Sequence, residues 1–286
     1  MNCPAESLRT KRLIRLLALV LALAAVVPQS RASTNVWSLA DNNSTASIDV
    51  ADPRGMFNWS LTMPDNSVQN QLFQQWFWYR AGSTLPNRSI DTIGIPTVSQ
   101  PNARTLSASY ANSSYSVRVD YILTGGSISS GVSDIGESIT ISNASLSTLD
   151  FHFYQYSTFQ LEGTSTGEAV QLSRNLRNLW NEADVLKGTL GLTETVTTPG
   201  AQHAEGGTAA QVLNDVQNLA NLTDLVAAGA NTNAWALEWD FQIAPGSTAL
   251  ISKDKYLTVP AIPEPAVLGL ISVGVVLYGL RRRVRR

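Results

Sequence analysis

Two carboxylates, Glu238 and Asp240, stand two residues apart in Trp235-Ala236-Leu237-Glu238-Trp239-Asp240-Phe241, so a strand carries both on one face. Two acids on one sheet face can divide the roles of proton donor and nucleophile at a glycosidic bond. Four aromatics are the other group with chemical use. Trp76 and Trp78 alternate within Trp76-Phe77-Trp78-Tyr79, and Tyr154 and Tyr156 alternate beyond His152. Presented together, such rings form a platform that stacks on sugars. Buried together, they are the two covered faces of a core strand, and for the run at 76–79 this is the stronger reading.

The remaining candidates are thinner. The Glu-x-Asp-x-x-Glu pattern of one group of β-sandwich glycoside hydrolases fails at its sixth position, which is Ile243, so Glu238 and Asp240 read as two charges on a solvated strand face. The chain has 2 histidines, His152 and His203, the second in a glycine-rich loop, leaving little material for a multi-histidine metal site or a Ser-His-Asp nucleophile. Ser252-Lys253-Asp254-Lys255 spells Ser-x-x-Lys without the companion motifs of that chemistry. Asp-x-Asp-x-Asp-Gly calcium loops and phosphate-cradling glycine motifs are absent. The expectation is a chain with no catalytic residues, no metal site and no cofactor.

The elements that position these residues are strands. Trp235, Leu237, Trp239, Phe241 and Ile243 alternate with Ala236, Glu238, Asp240 and Gln242, and Pro245-Gly246-Ser247 then turns the chain into 249–252, which reads as a hairpin. Leu149, Phe151 and Phe153 alternate with Asp150, His152 and Tyr154; Tyr115, Val117, Val119 and Tyr121 repeat the pattern before Gly125-Gly126. Segments 37–39, 46–50, 56–61, 72–80, 138–142 and 190–197 are further strands. Val212, Val216, Leu219 and Leu225 recur near the helical period, predicting one or two short helices over 209–228 capped by Gly229, while 168–187 suits either a helix or strands. Short strands between turn residues predict an all-β fold, an antiparallel β-sandwich, over residues 33–259.

Both ends look like addresses. Arg9, Lys11, Arg12 and Arg15 precede an apolar run from Leu16 to Val27 and the triplet Ser30-Arg31-Ala32, the layout of a signal peptide over residues 1–32 with cleavage between Ala32 and Ser33. Residues 260–286 contain Pro263-Glu264-Pro265, an apolar stretch from Ala266 to Leu280, and Arg281, Arg282, Arg283, Arg285 and Arg286. The arginines act as a stop-transfer element, each costing about 2.5–3.5 kcal/mol at a bilayer centre. Between the ends the segment 33–259 holds 10 Lys and Arg against 20 Asp and Glu, a net of −10, which disfavours nucleic acid as a partner. The single cysteine is Cys3, so disulfides cannot stabilise the exported part.

The order Pro263-Glu264-Pro265, hydrophobic helix, arginine cluster resembles the PEP-CTERM sorting domain of Gram-negative bacteria. The resemblance covers about a tenth of the chain. It implies an exosortase and the secretion machinery as partners, anchoring in the membrane through a C-terminal transmembrane helix before processing, and a destination in the cell envelope or a polysaccharide matrix. The expected function is a non-enzymatic, structural or adhesive exported protein; the alternative is a carbohydrate-binding module or glycan-active enzyme, with Trp76, Trp78, Tyr154 and Tyr156 as the glycan-stacking candidates.

Overall fold

The computed structural model describes residues 35–259 except 64, 65, 129, 189, 228 and 230. The expected signal peptide, with Ala32 and Ser33, and the expected sorting segment, with Pro263, Glu264, Pro265 and the five arginines, lie outside the described residues.

The chain runs through β1 (Val36–Asp41), β2 (Ser44–Asp49), β3 (Met56–Thr62), β4 (Val68–Asn70), β5 (Leu72–Ala81), β6 (Arg88–Ser89), β7 (Thr97–Asn102) and β8 (Thr105–Ala111). It continues through β9 (Tyr115–Gly125), β10 (Val132–Asn143), β11 (Leu149–Phe159), β12 (Ala169–Arg174), β13 (Trp180–Lys187), β14 (Leu190–Thr198) and β15 (His203–Gly207). Helix α1 (Ala209–Asn218) precedes β16 (Ala234–Ile243) and β17 (Thr248–Thr258). The first sheet has the order β1-β2-β3-β5-β11-β16-β15, with β4 on β3 and β6 on β5; the second has the order β12-β13-β14-β17-β10-β9-β8-β7. Their strand pairings are antiparallel.

Period-2 patterning sets the register. In β9 Val117, Val119, Tyr121 and Leu123 point into the core, and in β10 Ile135, Ile139 and Ile141 do the same, so a slip of one residue would expose them all. From the first sheet Phe77, Tyr79, Phe151 and Phe153 form stacked pairs, with centroids at 5.4 Å for Phe77–Phe153 and 5.7 Å for Tyr79–Phe151. Trp59, Trp76, Trp235 and Trp239 are fully buried. Each removes about 200 Å² from water, a contribution of about 5 kcal/mol before entropy is counted. Gly131, at φ +67°, makes the approach to the last strand possible, since a Cβ there would lie 1.7 Å from the Val259 carbonyl oxygen.

Two expectations are corrected and one left open is settled. Strands β16 and β17 do not form a hairpin: β16 pairs with β11 and β15 in one sheet, and β17 with β10 and β14 in the other. The turn at Pro245-Gly246 carries the chain between layers, held by Asn143, whose side chain donates to the Ile243 carbonyl at 2.8 Å. The helical signal yields one helix, α1, which ends at Leu219 in extended backbone, well before Gly229. Residues 168–187, which suited either state, hold β12 and β13.

Helix α1 and the segment after it form a partial third layer over the first sheet. Val212 and Val216, one turn apart, are its buried side. Tyr156 donates to the Ala209 carbonyl at 3.1 Å, Tyr154 to the Ala220 carbonyl at 2.8 Å, and Asn87 to the Val216 and Leu219 carbonyls at 2.6 and 2.9 Å. The Asn87 bonds take up carbonyls at the C-terminal end of the helix, which have no partner within it.

Candidate functional site

The register of four strands gathers the polar residues of this covered face. His152 on β11 stands opposite Asp240 on β16 and opposite Arg80 on β5. Glu238 on β16 stands opposite Tyr154 on β11 and opposite His203 on β15. Because directly opposed residues project to the same side of a sheet, Arg80, His152 and Asp240 form one row and Tyr154, Glu238 and His203 the next.

Hydrogen bonds tie the rows together. His152 Nδ1 bonds Asp240 Oδ1 and lies 3.8 Å from Glu238 Oε1. His203 Nδ1 donates to Asp224 Oδ2 at 3.0 Å, which turns Nε2 toward Asp240 Oδ2, 4.0 Å away. Asp224 is fixed in turn by the Trp180 indole at 2.7 Å and the Ala204 amide at 3.1 Å. Arg80 donates to the Tyr154 hydroxyl at 3.2 Å and the Ala220 carbonyl at 2.7 Å. Asp240, His203 and Asp224 are about a third exposed, at 30%, 28% and 32%, and make the accessible rim; Glu238, at 0%, is the floor.

Environment drives the two central carboxylates apart. Burial pushes the Glu238 carboxyl up to about 7, opposed by the Leu222 amide that donates to Oε2 at 2.7 Å and assisted by the charge of Asp240. Burial also works against ionised Asp240, but the His152 hydrogen bond and the charges of His152, His203 and Arg80 outweigh it and hold its carboxyl below the usual range. Two carboxyls separated in this way hold and accept a proton at neutral pH, the arrangement general acid–base chemistry requires. Glu238 Oε1 is buried without a hydrogen-bond partner. A proton, a cation or a ligand hydroxyl completes it.

The same atoms suit a metal ion. His152, Glu238 and Asp240 each offer one ligand atom, and these lie within 4.8 Å of one another. One nitrogen and two oxygens is a donor set that borderline divalent ions accept.

These positions change the reading of the sequence. Glu238 is not on a solvated face, because Leu222 and its neighbours cover it. His203 is on a paired strand rather than in a loop. The aromatic run on β5 is a central strand covered on both sides, as its composition implied. Trp76, Trp78, Tyr154 and Tyr156 are 0%, 2%, 0% and 1% exposed, so none presents a ring face for glycan stacking. Trp78 and Tyr156 pack edge to face at 6.1 Å beneath the α1 layer, and the Trp76 indole donates to Ser89 at 2.7 Å.

No protein-family model matches the chain, and no curated protein matches it in sequence. Solved structures do resemble it. A bacterial glucoamylase complexed with acarbose superposes with a TM-score of 0.53 at 8% identity over 82% of this chain and 32% of the glucoamylase. A putative aldose 1-epimerase from Escherichia coli K12 gives a TM-score of 0.46 at 10% identity, over 79% of this chain and 99% of the other. A galactose mutarotase-like protein from Lactobacillus casei gives 0.45 at 10% identity, over 78% and 99%. The first likeness shows a shared fold, and this chain spans about a third of that enzyme's length.

Proposed function

We propose that this chain is an exported carbohydrate-active protein that binds a sugar at the rim formed by Asp240, His203 and Asp224 and moves protons on it. The observation that carries the reading is the gathering of both histidines of the chain around Glu238, a fully buried carboxyl pushed up to about 7 with one oxygen unpartnered. Asp240 meets a substrate hydroxyl and His203 Nε2 serves as the second proton-transfer group beside it. Glu238 stands behind them as the proton store, its Oε1 3.8 Å from the His152 nitrogen that bonds Asp240. Sugars suit this rim because they are neutral and rich in paired donors and acceptors, and a carboxylate and an imidazole satisfy both. The acarbose-bound glucoamylase adds the class of ligand to assay first.

The test is a panel of monosaccharides and oligosaccharides, followed by calorimetry for binding and by NMR for hydrolysis or anomer exchange. Binding or turnover that Asp240→Asn abolishes supports the assignment, and a panel without either removes it. A second reading, a divalent-ion site on His152, Glu238 and Asp240, rests on their mutual spacing. Metal analysis of the purified protein and a chelator-sensitive melting temperature decide it.

Sorting is proposed from the sequence alone. Pro263-Glu264-Pro265, the apolar stretch and the arginine cluster support processing by an exosortase. Co-expression with such an enzyme should yield a product lacking the tail, and removal of residues 263–265 should leave the precursor whole; a precursor that persists unchanged beside the enzyme contradicts it.

A further inference from the structure

Four charged side chains sit between the two sheets, on the opposite side of the first sheet from the candidate site. Glu137 on β10, Glu194 on β14, and Lys253 and Lys255 on β17 all have fully buried side chains. They share the inward parity of Ile135, Ile139, Leu192, Ile251 and Leu257, so the sheet pattern places two amines and two carboxyls where it otherwise places aliphatics. Lys253 is directly opposite Glu137 in the ladder, and its Nζ is in contact with Glu137 Oε2. Glu194 Oε1 is 3.2 Å from Nζ of both lysines, and Lys255 Nζ is 3.3 Å from Glu137 Oε2. Gln155 and Trp235 orient Glu194, donating at 2.8 and 2.7 Å, while Glu137 Oε1 has no partner.

A salt-bridge quartet in a dry core is costly, because desolvating four ions offsets their attraction. Charge neutralisation by reaction relieves that cost. We infer that Lys253 and Glu137 are the two halves of an intramolecular amide crosslink joining β17 to β10. The roles follow from the contacts. The Lys253 ammonium first passes a proton to the Glu137 carboxylate it contacts, leaving a neutral amine beside a carboxylic acid. The amine attacks Cδ of Glu137, and Lys255, as the ammonium, stabilises the oxygen that gains charge. Glu194, 3.2 Å from Nζ, takes the second proton that Nζ sheds, which goes to the departing hydroxyl so that it leaves as water. One N–C bond forms, one C–O bond breaks, and one water leaves, with no change in oxidation state. Burial, and then the neighbouring Lys255 charge, hold the Lys253 amine well below its ordinary value, which favours the neutral nucleophile. After reaction Lys255 and Glu194 remain as one neutralised pair. The link spans 116 positions of chain and supplies, in a segment without cysteine, the kind of long-loop covalent closure that disulfides give elsewhere.

This inference is independent of the sugar site. Its test is intact-mass and tryptic-peptide analysis of the folded full chain after incubation at neutral pH. The expected result is a mass short of one water, and a digest in which the peptide holding Glu137 is joined to the peptide holding Lys253. Lys253→Met and Glu194→Gln should each restore the full mass, and Glu137→Gln should instead lose one ammonia. Recovery of the two parent peptides as separate species overturns the inference, and that comparison stands even where a variant fails to fold.

Discussion

Replacing Glu238 with glutamine isolates the proton that the floor of the site holds. The folded carboxyl sits at about 7, against an ordinary value of 4.5, so between these the native state keeps a proton that the unfolded chain releases. Stability from this residue is therefore full below about pH 4.5 and falls as pH rises, by about 1.4 kcal/mol per unit, until it levels off above pH 7. The accumulated loss is about 3 kcal/mol. Glutamine mimics the protonated acid, retains an acceptor for the Leu222 amide and cannot ionise. Urea unfolding of both proteins, with chelator present, should thus give similar stabilities at pH 5 and a variant more stable than the parent by a few kcal/mol at pH 8. Glu168, also pushed up to about 7 chiefly by burial, adds the same trend to both proteins and cancels in the difference. Equal pH slopes for parent and variant would refute the reasoning.

Other outcomes follow from single contacts. Asp240→Asn should weaken sugar binding at least tenfold, about 1.4 kcal/mol by calorimetry, because it replaces the ionised acceptor on the rim. Asn87→Ala removes donors to the Val216 and Leu219 carbonyls and an acceptor for Arg80; a loss of about 1–3 kcal/mol and faster hydrogen exchange in α1 should result. Trp235→Phe keeps an aromatic ring, though a smaller one, and strips the indole donor from buried Glu194; denaturant titration should record a loss of about 1–3 kcal/mol. Gly131→Ala, at φ +67° against the Val259 carbonyl, should lower the melting temperature through a cost of about 1–3 kcal/mol.

Much of the architecture was legible in the residues. Alternation in 115–121, 149–153 and 235–243 gave the strands β9, β11 and β16, because one covered face leaves a period-2 trace. Partnership was not legible. Pro245-Gly246 marks a reversal of direction, yet nothing in it says whether the next strand returns to the same sheet. The site failed to emerge for the same reason: His152 and Asp240 meet only through a pairing of strands 88 residues apart, and His203 only through β15. One signal was available. Glu238 shares a strand with Trp235, Leu237 and Trp239, and an acid on a strand that apolar is a candidate for burial. The buried quartet was hidden similarly, since Lys253 and Lys255 alternate as surface residues would, and only β10 and β14 beside them place the compensating acids.

The central claim is that the histidine and carboxylate rim holds a sugar. The structure of the protein with the tightest-binding saccharide of the panel tests it most directly. The account predicts sugar oxygens within hydrogen-bond distance of Asp240 and His203, with Glu238 beneath them. A saccharide held elsewhere, with Asp240 still bonded to His152 and His203 still bonded to Asp224 and Asn221, would contradict it.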